Sequence, residues 1–311
     1  MAAKKTKAPR NKTIELSRIE AALYVSQSLN LKKQAKESDV ENQVIYQDCL
    51  KAMDLLPDNF VDLMIVDPPY NITKNFGKNI FKEMEAKEYI KWMDQWLSKT
   101  VRLLKENASV YICSDWKTSL FIPEVAGKYF VLQNRISWER EKGRGALNNW
   151  KNCLEDIWFF SKTKNYTFNL DAVKIQRPVL APYRDGKGKP KDWTETEGQK
   201  YRLTSPSNVW TDISIPFWSM PENTSHPTQK PEKLIAKLIL ASSNEGDMVF
   251  DPFLGSGTTA VTAKKLKRRF LGIEREKEYV ALALKRLDMA DENSTIQGFE
   301  DGVFKSRNGA L

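Results

Sequence analysis

Asp67-Pro68-Pro69-Tyr70 puts a carboxylate, two conformationally locked residues and a flat ring in four consecutive positions, directly after the apolar run Leu63-Met64-Ile65-Val66. Average residue usage would produce such a tetrapeptide by chance in roughly one chain of this length per thousand. Its chemistry suits an arylamine. The lone pair of an exocyclic amine is delocalised into its ring, so the nitrogen is a poor nucleophile until something accepts its protons. Asp67 supplies a carboxylate acceptor, and the Pro68 carbonyl can accept a second N–H while Pro68 and Pro69 hold the backbone stiff. Tyr70 offers a face on which an extruded base can stack. The same residues also describe a rigid turn in which Asp67 caps a helix and Tyr70 packs, and the tetrapeptide alone leaves both readings open.

A second constellation is Phe250-Asp251-Pro252-Phe253-Leu254-Gly255-Ser256-Gly257-Thr258-Thr259, an apolar run leading through glycines into a helical pattern. Gly255 and Gly257 allow close approach of backbone to a ligand, and Ser256 and Thr258 offer hydroxyls to it. The full Gly-x-Gly-x-x-Gly fingerprint and the lysine of a phosphate-binding loop are both missing, which disfavours a dinucleotide or a nucleoside triphosphate. Glu274 lies 23 residues after Asp251, where an acid can grip a ribose diol; it also opens the charged run 274–278 and reads equally as a surface residue. His226 is the single histidine, in His226-Pro227-Thr228-Gln229-Lys230-Pro231, and one histidine without a nearby cysteine makes no metal site. That segment reads as a pocket wall or as a turn before a helix. No cysteine follows a proline, so the Pro-Cys nucleophile of cytosine C5 methylation is missing.

These groups need a scaffold that brings them together. Short apolar runs at 44–46, 61–66, 108–113, 130–138 and 157–160 predict strands, and Tyr89, Ile90, Met93, Leu97, Val101 and Leu104 predict a helix over 87–104. Strand and helix alternate again after Pro231: a helix through Leu234, Leu238 and Ile239, a strand at 248–250, a helix over 258–266, a strand at 270–273 and a helix over 279–287. Alternation implies a mostly parallel sheet. Both motifs then fall at C-terminal strand ends, where open α/β sheets bind ligands. Between the blocks, Pro178, Pro182, Pro190, Pro206, Pro216 and Pro221 predict an irregular insert. Arg177, Arg184, Lys187, Lys189, Lys191, Lys200 and Arg202 are interleaved there with Tyr183, Trp193, Tyr201 and Trp210, which suits DNA contacts and equally suits solvated loops. Arg140, Lys142, Arg144 and Lys151 form a second basic patch.

With 49 Lys and Arg against 40 Asp and Glu, the chain carries a formal charge of +9, which favours polyanionic partners. Three widely spaced cysteines fit a reducing cytoplasm, and neither a signal peptide nor a membrane span is read. The expected divisions are a basic tail with helical extension (1–40), a first catalytic half (41–164), the insert (165–225), a cofactor half (226–290) and a C-terminal tail (291–311).

Together and in this order, the two motifs resemble the permuted, or beta, class of amino-methylating DNA methyltransferases of prokaryotic restriction-modification systems, over most of residues 42–290. The resemblance implies a doubly wound, seven-stranded mixed sheet with the last strand antiparallel, S-adenosylmethionine as cofactor, no metal, and double-stranded DNA as partner. Carried over by position, it implies that Asp67, Pro68, Pro69 and Tyr70 are catalytic. Asp48, His226, Pro227, Thr228, Lys230, Asp251, Phe253, Gly255, Ser256, Gly257, Thr258 and Glu274 are expected to bind the cofactor, Asp48 facing its adenine. Gln47 stands where the family usually has glycine. The insert would recognise the target, with Arg140, Lys142, Arg144, Lys151, Arg177, Arg184, Lys187, Lys189, Lys200 and Arg202 as DNA contacts. A homodimer, as in several members, and a separately acting restriction endonuclease are further expectations. Asp at the first motif position resembles adenine-N6 members; cytosine N4 is the runner-up. A nicotinamide-dependent oxidoreductase leaves Asp67 to Tyr70 unexplained, and a DNA-binding regulator leaves both motifs idle.

Overall fold

The computed structural model describes residues 8–76, 79–140, 147–180, 182–196 and 199–305. Short β-branched and aromatic runs bounded by turn residues become its strands. In chain order they begin with β1 (Gln43–Tyr46) and β2 (Val61–Val66), followed by a hairpin of β3 (Lys74–Phe76) and β4 (Asn79–Phe81). Next come β5 (Leu104–Asp115), β6 (Val131–Glu139) and β7 (Leu154–Ser161). The proline-punctuated segment supplies β8 (Ile175–Pro178), β9 (Thr194–Thr196), β10 (Gln199–Thr204) and β11 (Val209–Trp210). The last are β12 (Met248–Asp251), β13 (Arg269–Glu274), β14 (Phe299–Glu300) and β15 (Val303–Lys305). The helices are α1 (Arg18–Ser26), α2 (Glu37–Val40), α3 (Cys49–Met53) and α4 (Ala86–Thr100), then α5 (Ile122–Ala126), α6 (Glu232–Ser242), α7 (Thr258–Lys265) and α8 (Lys277–Glu292).

The main sheet has the order β1-β13-β12-β2-β5-β7-β6-β11. All neighbours are parallel except β7, which runs antiparallel to both β5 and β6. This is the expected doubly wound mixed sheet, with a two-residue eighth strand, β11, added by the insert. The halves of the chain interleave: β12 and β13 lie between β1 and β2, with Phe250 registered to Met64. The ends of β2 and β12 therefore adjoin, and the two motifs share one sheet edge. Every residue of β2 is buried, as a central parallel strand covered on both faces requires. One face packs under α4 and α5 through Met93, Trp96, Leu97 and Val125. The other packs under α6, α7 and α8 through Leu234, Leu238, Val261 and Val280.

Three expectations need correcting. The helix over 87–104 stops at Thr100, because the Leu103 amide turns back onto the Thr100 carbonyl and Leu104 already begins β5. The insert is not irregular: β8, β9 and β10 join the C-terminal strands in a five-stranded sheet of order β14-β15-β8-β10-β9. Its prolines do not prevent this, because Pro178 ends a strand and Pro206 lies between strands, which leaves Tyr201–Thr204 free to pair with Ile175–Pro178. Residues 299–305 are accordingly part of a sheet rather than a tail, with Phe304 paired to Ile175 and buried against Val173, Ala236 and Ala241 of the same cluster. The insert is pinned to α6 by Asp212, whose carboxylate accepts from Lys233 at 2.9 Å and Lys237 at 3.0 Å. Among the described residues no helix is long and apolar enough to cross a membrane.

Candidate active site

A cleft opens at the C-terminal edge of the sheet, between the ends of β2, β12 and β13. It is lined by Asp48, Asp67, Pro68, Pro69, Tyr70, His226, Thr228, Lys230, Asp251, Phe253, Gly255, Ser256, Thr258 and Glu274. Of the residues singled out for catalysis or cofactor binding, Pro227 and Gly257 do not line it: Pro227 is exposed outside the cleft and Gly257 is buried beneath the turn. Both glycines of the turn have left-handed backbones, Gly255 at φ 54° and Gly257 at φ 89°. A Cβ at Gly255 would lie 3.0 Å from His226 Nε2, and one at Gly257 would lie 2.7 Å from the Ala283 Cβ. The second glycine thus lets α7 start hard against α8. Ser256 and Thr258 are also held from behind: buried Arg286, paired with Glu232 at 2.9 Å, donates to the Ser256 carbonyl (2.9 Å) and to Thr258 Oγ1 (3.0 Å). These hydroxyl residues shape the turn.

Asp251 braces the same turn, its carboxylate accepting the Phe253 amide at 2.9 Å and the Thr259 hydroxyl at 2.6 Å. Burial pushes its carboxyl up to about 7. Glu274 reaches across from β13; Oε2 accepts the Gly255 amide at 2.8 Å and Oε1 accepts those of Arg275 and Glu276 at 2.8 and 2.7 Å. Burial raises its carboxyl, and these three amides partly offset the rise. Asp48 caps α3, accepting the Leu50 amide at 3.1 Å, and holds that helix end at the cleft.

The tetrapeptide Asp67–Tyr70 sits in a ring of charge. Asp67 Oδ1 accepts the Tyr70 hydroxyl at 2.8 Å, and Oδ2 accepts the Lys230 ammonium at 2.6 Å. Lys230, which the resemblance assigns to the cofactor, donates its ammonium to Asp67 and has a longer contact of 3.3 Å to Glu155 on β7. Arg140, expected on DNA, closes the ring by pairing with Glu155. Burial raises the Asp67 carboxyl, and the Lys230 charge offsets only part of this. For Glu155 the balance is reversed: burial is outweighed by Lys230 and Arg140, and its carboxyl is held low. Lys230 is pulled above its ordinary value, its burial outweighed by the Asp67 and Glu155 charges. Tyr89 of α4 donates to the Pro69 carbonyl at 2.9 Å, anchoring the stiff segment.

His226 packs edge-on against Tyr279, ring centroids 4.4 Å apart, and burial lowers its imidazole to about 3. It is a neutral wall residue at any physiological pH. Gln229 clamps the same strap, accepting the Thr224 amide at 3.0 Å and donating to the Glu222 carbonyl at 2.7 Å. Sequence reasoning missed the aromatic wall of Trp92 and Trp96, which meet Phe253 at centroid distances of 5.9 and 5.4 Å. Their i, i+4 spacing on the predicted helix was the available signal. It also missed the hairpin of β3 and β4, where Asn79 donates to Glu276 and Phe76 lies 6.3 Å from the His226 ring. Glu155 carried no signal beyond its place at the head of a strand.

The remaining basic candidates divide. Lys142 and Arg144 lie outside the described residues. Lys151, Arg177, Lys187 and Lys189 are exposed. Arg184 and Lys200 lie over the Trp193 ring at 5.1 and 5.4 Å, and Arg202 pairs with Asp192 at 3.1 Å. Trp193 and Trp210 are buried rather than open to base stacking, Trp210 in the main-sheet core beneath α6; Tyr183 is exposed. The described stretch 147–153 that leads into β7 holds two exposed apolar residues, Leu147 and Trp150.

A family model described as DNA methylase, covering N6 and N4 methyltransferases, matches residues 61–285. The chain is 36% identical over 258 residues to the DNA adenine methyltransferase YhdJ of Escherichia coli K12, spanning 81% of this chain and 84% of that protein. It is 34% identical over 266 residues to the Type II methyltransferase M.HpaI of Haemophilus parainfluenzae, spanning 84% and 77%. Its fold matches that of TTHA0409 from Thermus thermophilus, solved in complex with S-adenosyl-L-methionine, with a TM-score of 0.54 and 21% identity over 80% of this chain and 95% of that one.

Proposed function

The chain belongs to the N6/N4 DNA methylase family, and from that membership we propose that it methylates the N6 amine of adenine within a specific duplex sequence. As a member of the permuted class it is an S-adenosylmethionine-dependent DNA methyltransferase; the choice of adenine is our reading. The observation that carries it is Asp67, a carboxyl group at the end of β2, in a cleft walled by aromatics and bonded to the Lys230 ammonium. YhdJ, which carries the name of an adenine enzyme, supports the choice of base.

The cleft suits this cofactor in its own chemistry. It offers an apolar wall at Phe253, Trp92 and Trp96, a carboxylate at Glu274 and a backbone that approaches closely at Gly255. Glu274 would hold the ribose hydroxyls, Asp48 and its helix end the adenine edge, and the Gly255 turn with the His226 strap the remainder. When bound, S-adenosylmethionine supplies a methyl group made electrophilic by its sulfonium. Asp67 accepts one N–H of the target amine and the Pro68 carbonyl the other, which localises the nitrogen lone pair toward the cleft. A raised Asp67 carboxyl also suits it to hold the proton that the methylated nitrogen sheds. Positioning and a preorganised charge ring do the rest.

In this reading residues 41–164 and 226–290 form the catalytic domain, and the insert 165–225 with strands 299–305 reads the target. Exposed Lys151, Arg177, Lys187 and Lys189 are the phosphate contacts that basic charge would supply. The protein works in the cytoplasm on DNA, and the Type II name of M.HpaI supports a restriction-modification setting with a separate endonuclease. Asp67→Ala tests the core of the reading. Transfer of labelled methyl to DNA is expected to fall at least about a hundredfold, while S-adenosylmethionine binding by calorimetry stays near that of the parent. Retained transfer, or lost cofactor binding in a folded variant, would overturn it.

A further inference from the structure

Asp67 has both carboxylate oxygens engaged before any substrate arrives. The Tyr70 hydroxyl holds Oδ1 at 2.8 Å and the Lys230 ammonium holds Oδ2 at 2.6 Å. Each carboxylate oxygen can accept more than one hydrogen bond, but a target amine that donates to Asp67 competes with these donors for it, and a buried donor left without an acceptor is costly. The ring supplies such an acceptor. Glu155 Oε2 already lies 3.2 Å from the Tyr70 hydroxyl and 3.3 Å from Lys230 Nζ, while Oε1 is tied to Arg140. Movement of roughly 0.5 Å brings either donor to ordinary hydrogen-bond distance.

We propose that Glu155 is a positioning residue that takes over the Lys230 ammonium and the Tyr70 hydroxyl when the target amine claims Asp67. The proposal rests on the reading of Asp67 as the amine acceptor. Three observations favour handover over mere neutralisation. Lys230 matches the Asp67 charge one for one and the Glu155 charge opposes rather than aids Asp67 ionisation, so neutralising Asp67 does not account for Glu155. Glu155 is 4% exposed and is fixed at the head of an inner strand, paired across the sheet with Asp115 on one side and Trp138 on the other. A carboxylate held by rigid strands and by Arg140 stays put while the donors move to it. Finally, the two donors that occupy Asp67 are the two that Glu155 can receive.

Glu155→Gln keeps the shape and removes the charge, leaving Lys230 with Asp67 as its one carboxylate partner in the ring. With tritiated S-adenosylmethionine and unmethylated genomic DNA, kcat is expected to fall tenfold or more while the cofactor dissociation constant changes less than twofold. The free protein gives a second readout. Asp67 is faced by Tyr89, Cys113, Arg140, Glu155, Lys230 and Asp251, and Glu155 is among the charges that raise its carboxyl. Carboxyl carbon NMR of Asp67 is therefore expected to titrate at lower pH in Glu155→Gln than in the parent. Glu155→Asp keeps the charge but withdraws the acceptor by one methylene, and is likewise expected to lower kcat at unchanged melting temperature. Parental kcat in folded Glu155→Gln, or a loss of turnover matched by equal loss of cofactor binding, would overturn the proposal. Parental turnover in Asp67→Ala would instead remove the reading beneath it, which makes the two failures distinguishable.

Discussion

The chemistry of the cleft rests on a few side chains that burial has moved away from their ordinary protonation. Asp251 shows what that costs. A free aspartate titrates near 4, whereas burial carries this one to about 7. Protonation therefore favours the folded state, so the stabilisation is fully present below about pH 4 and is lost as pH rises through about 7. Asp251→Asn keeps an acceptor for the Phe253 amide and removes the titration. Its stability relative to the parent is expected to increase by roughly 1 kcal/mol per pH unit between pH 5 and 7 and to level off by pH 8, measured by urea unfolding at each pH. A difference independent of pH would contradict the assignment. At this scale the sequence was informative where type and order carry meaning: Asp67, Tyr70 and the glycine turn were legible because strand, turn and residue type coincide. Glu155 and its pairing with Arg140 were not, because a charge pair across a hairpin leaves no local spacing, and neither was the ion pair of Lys230 with Asp67, because a side chain's reach cannot be read from a motif.

Helices and strands fix the angle at which those side chains meet. The start of α7 depends on Gly257, whose φ of 89° and 2.7 Å clearance to Ala283 leave no room for a side chain. Gly257→Ala is expected to cost about 2–4 kcal/mol, combining left-handed strain with overpacking against α8, read as a lowered melting temperature together with weaker S-adenosylmethionine binding. An unchanged melting temperature would show that the α7–α8 contact is looser than described. The long amphipathic or wholly apolar elements, β2, α4, α6 and α8, were legible in the sequence because burial imposes a period. The hairpin of β3 and β4 was not, because three residues a strand are too few to show a period. The insert's strands were hidden by their prolines, which fall at strand ends or between strands and so signal breaks without forbidding pairing.

Over the whole molecule, the permuted order makes sense as two half-sheets that complete each other, since β12 and β13 from the end of the chain fill the gap between β1 and β2. Alternation of elements made that sheet legible, whereas the pairing of β15 with β8 was not, because it joins residues about 130 positions apart and nothing local announces it. The formal charge of +9 agrees with a polyanionic partner, and exposed lysines border the insert and the stretch leading into β7. The central claim is the identity of the methylated atom. It is tested most directly by incubating the purified protein with methyl-labelled S-adenosylmethionine and unmodified bacterial or phage DNA, digesting to nucleosides and separating them. The label is expected on N6-methyldeoxyadenosine; label on N4-methyldeoxycytidine would contradict the choice of base, and no labelled nucleoside from DNA of several origins, with cofactor bound, would contradict DNA as the substrate.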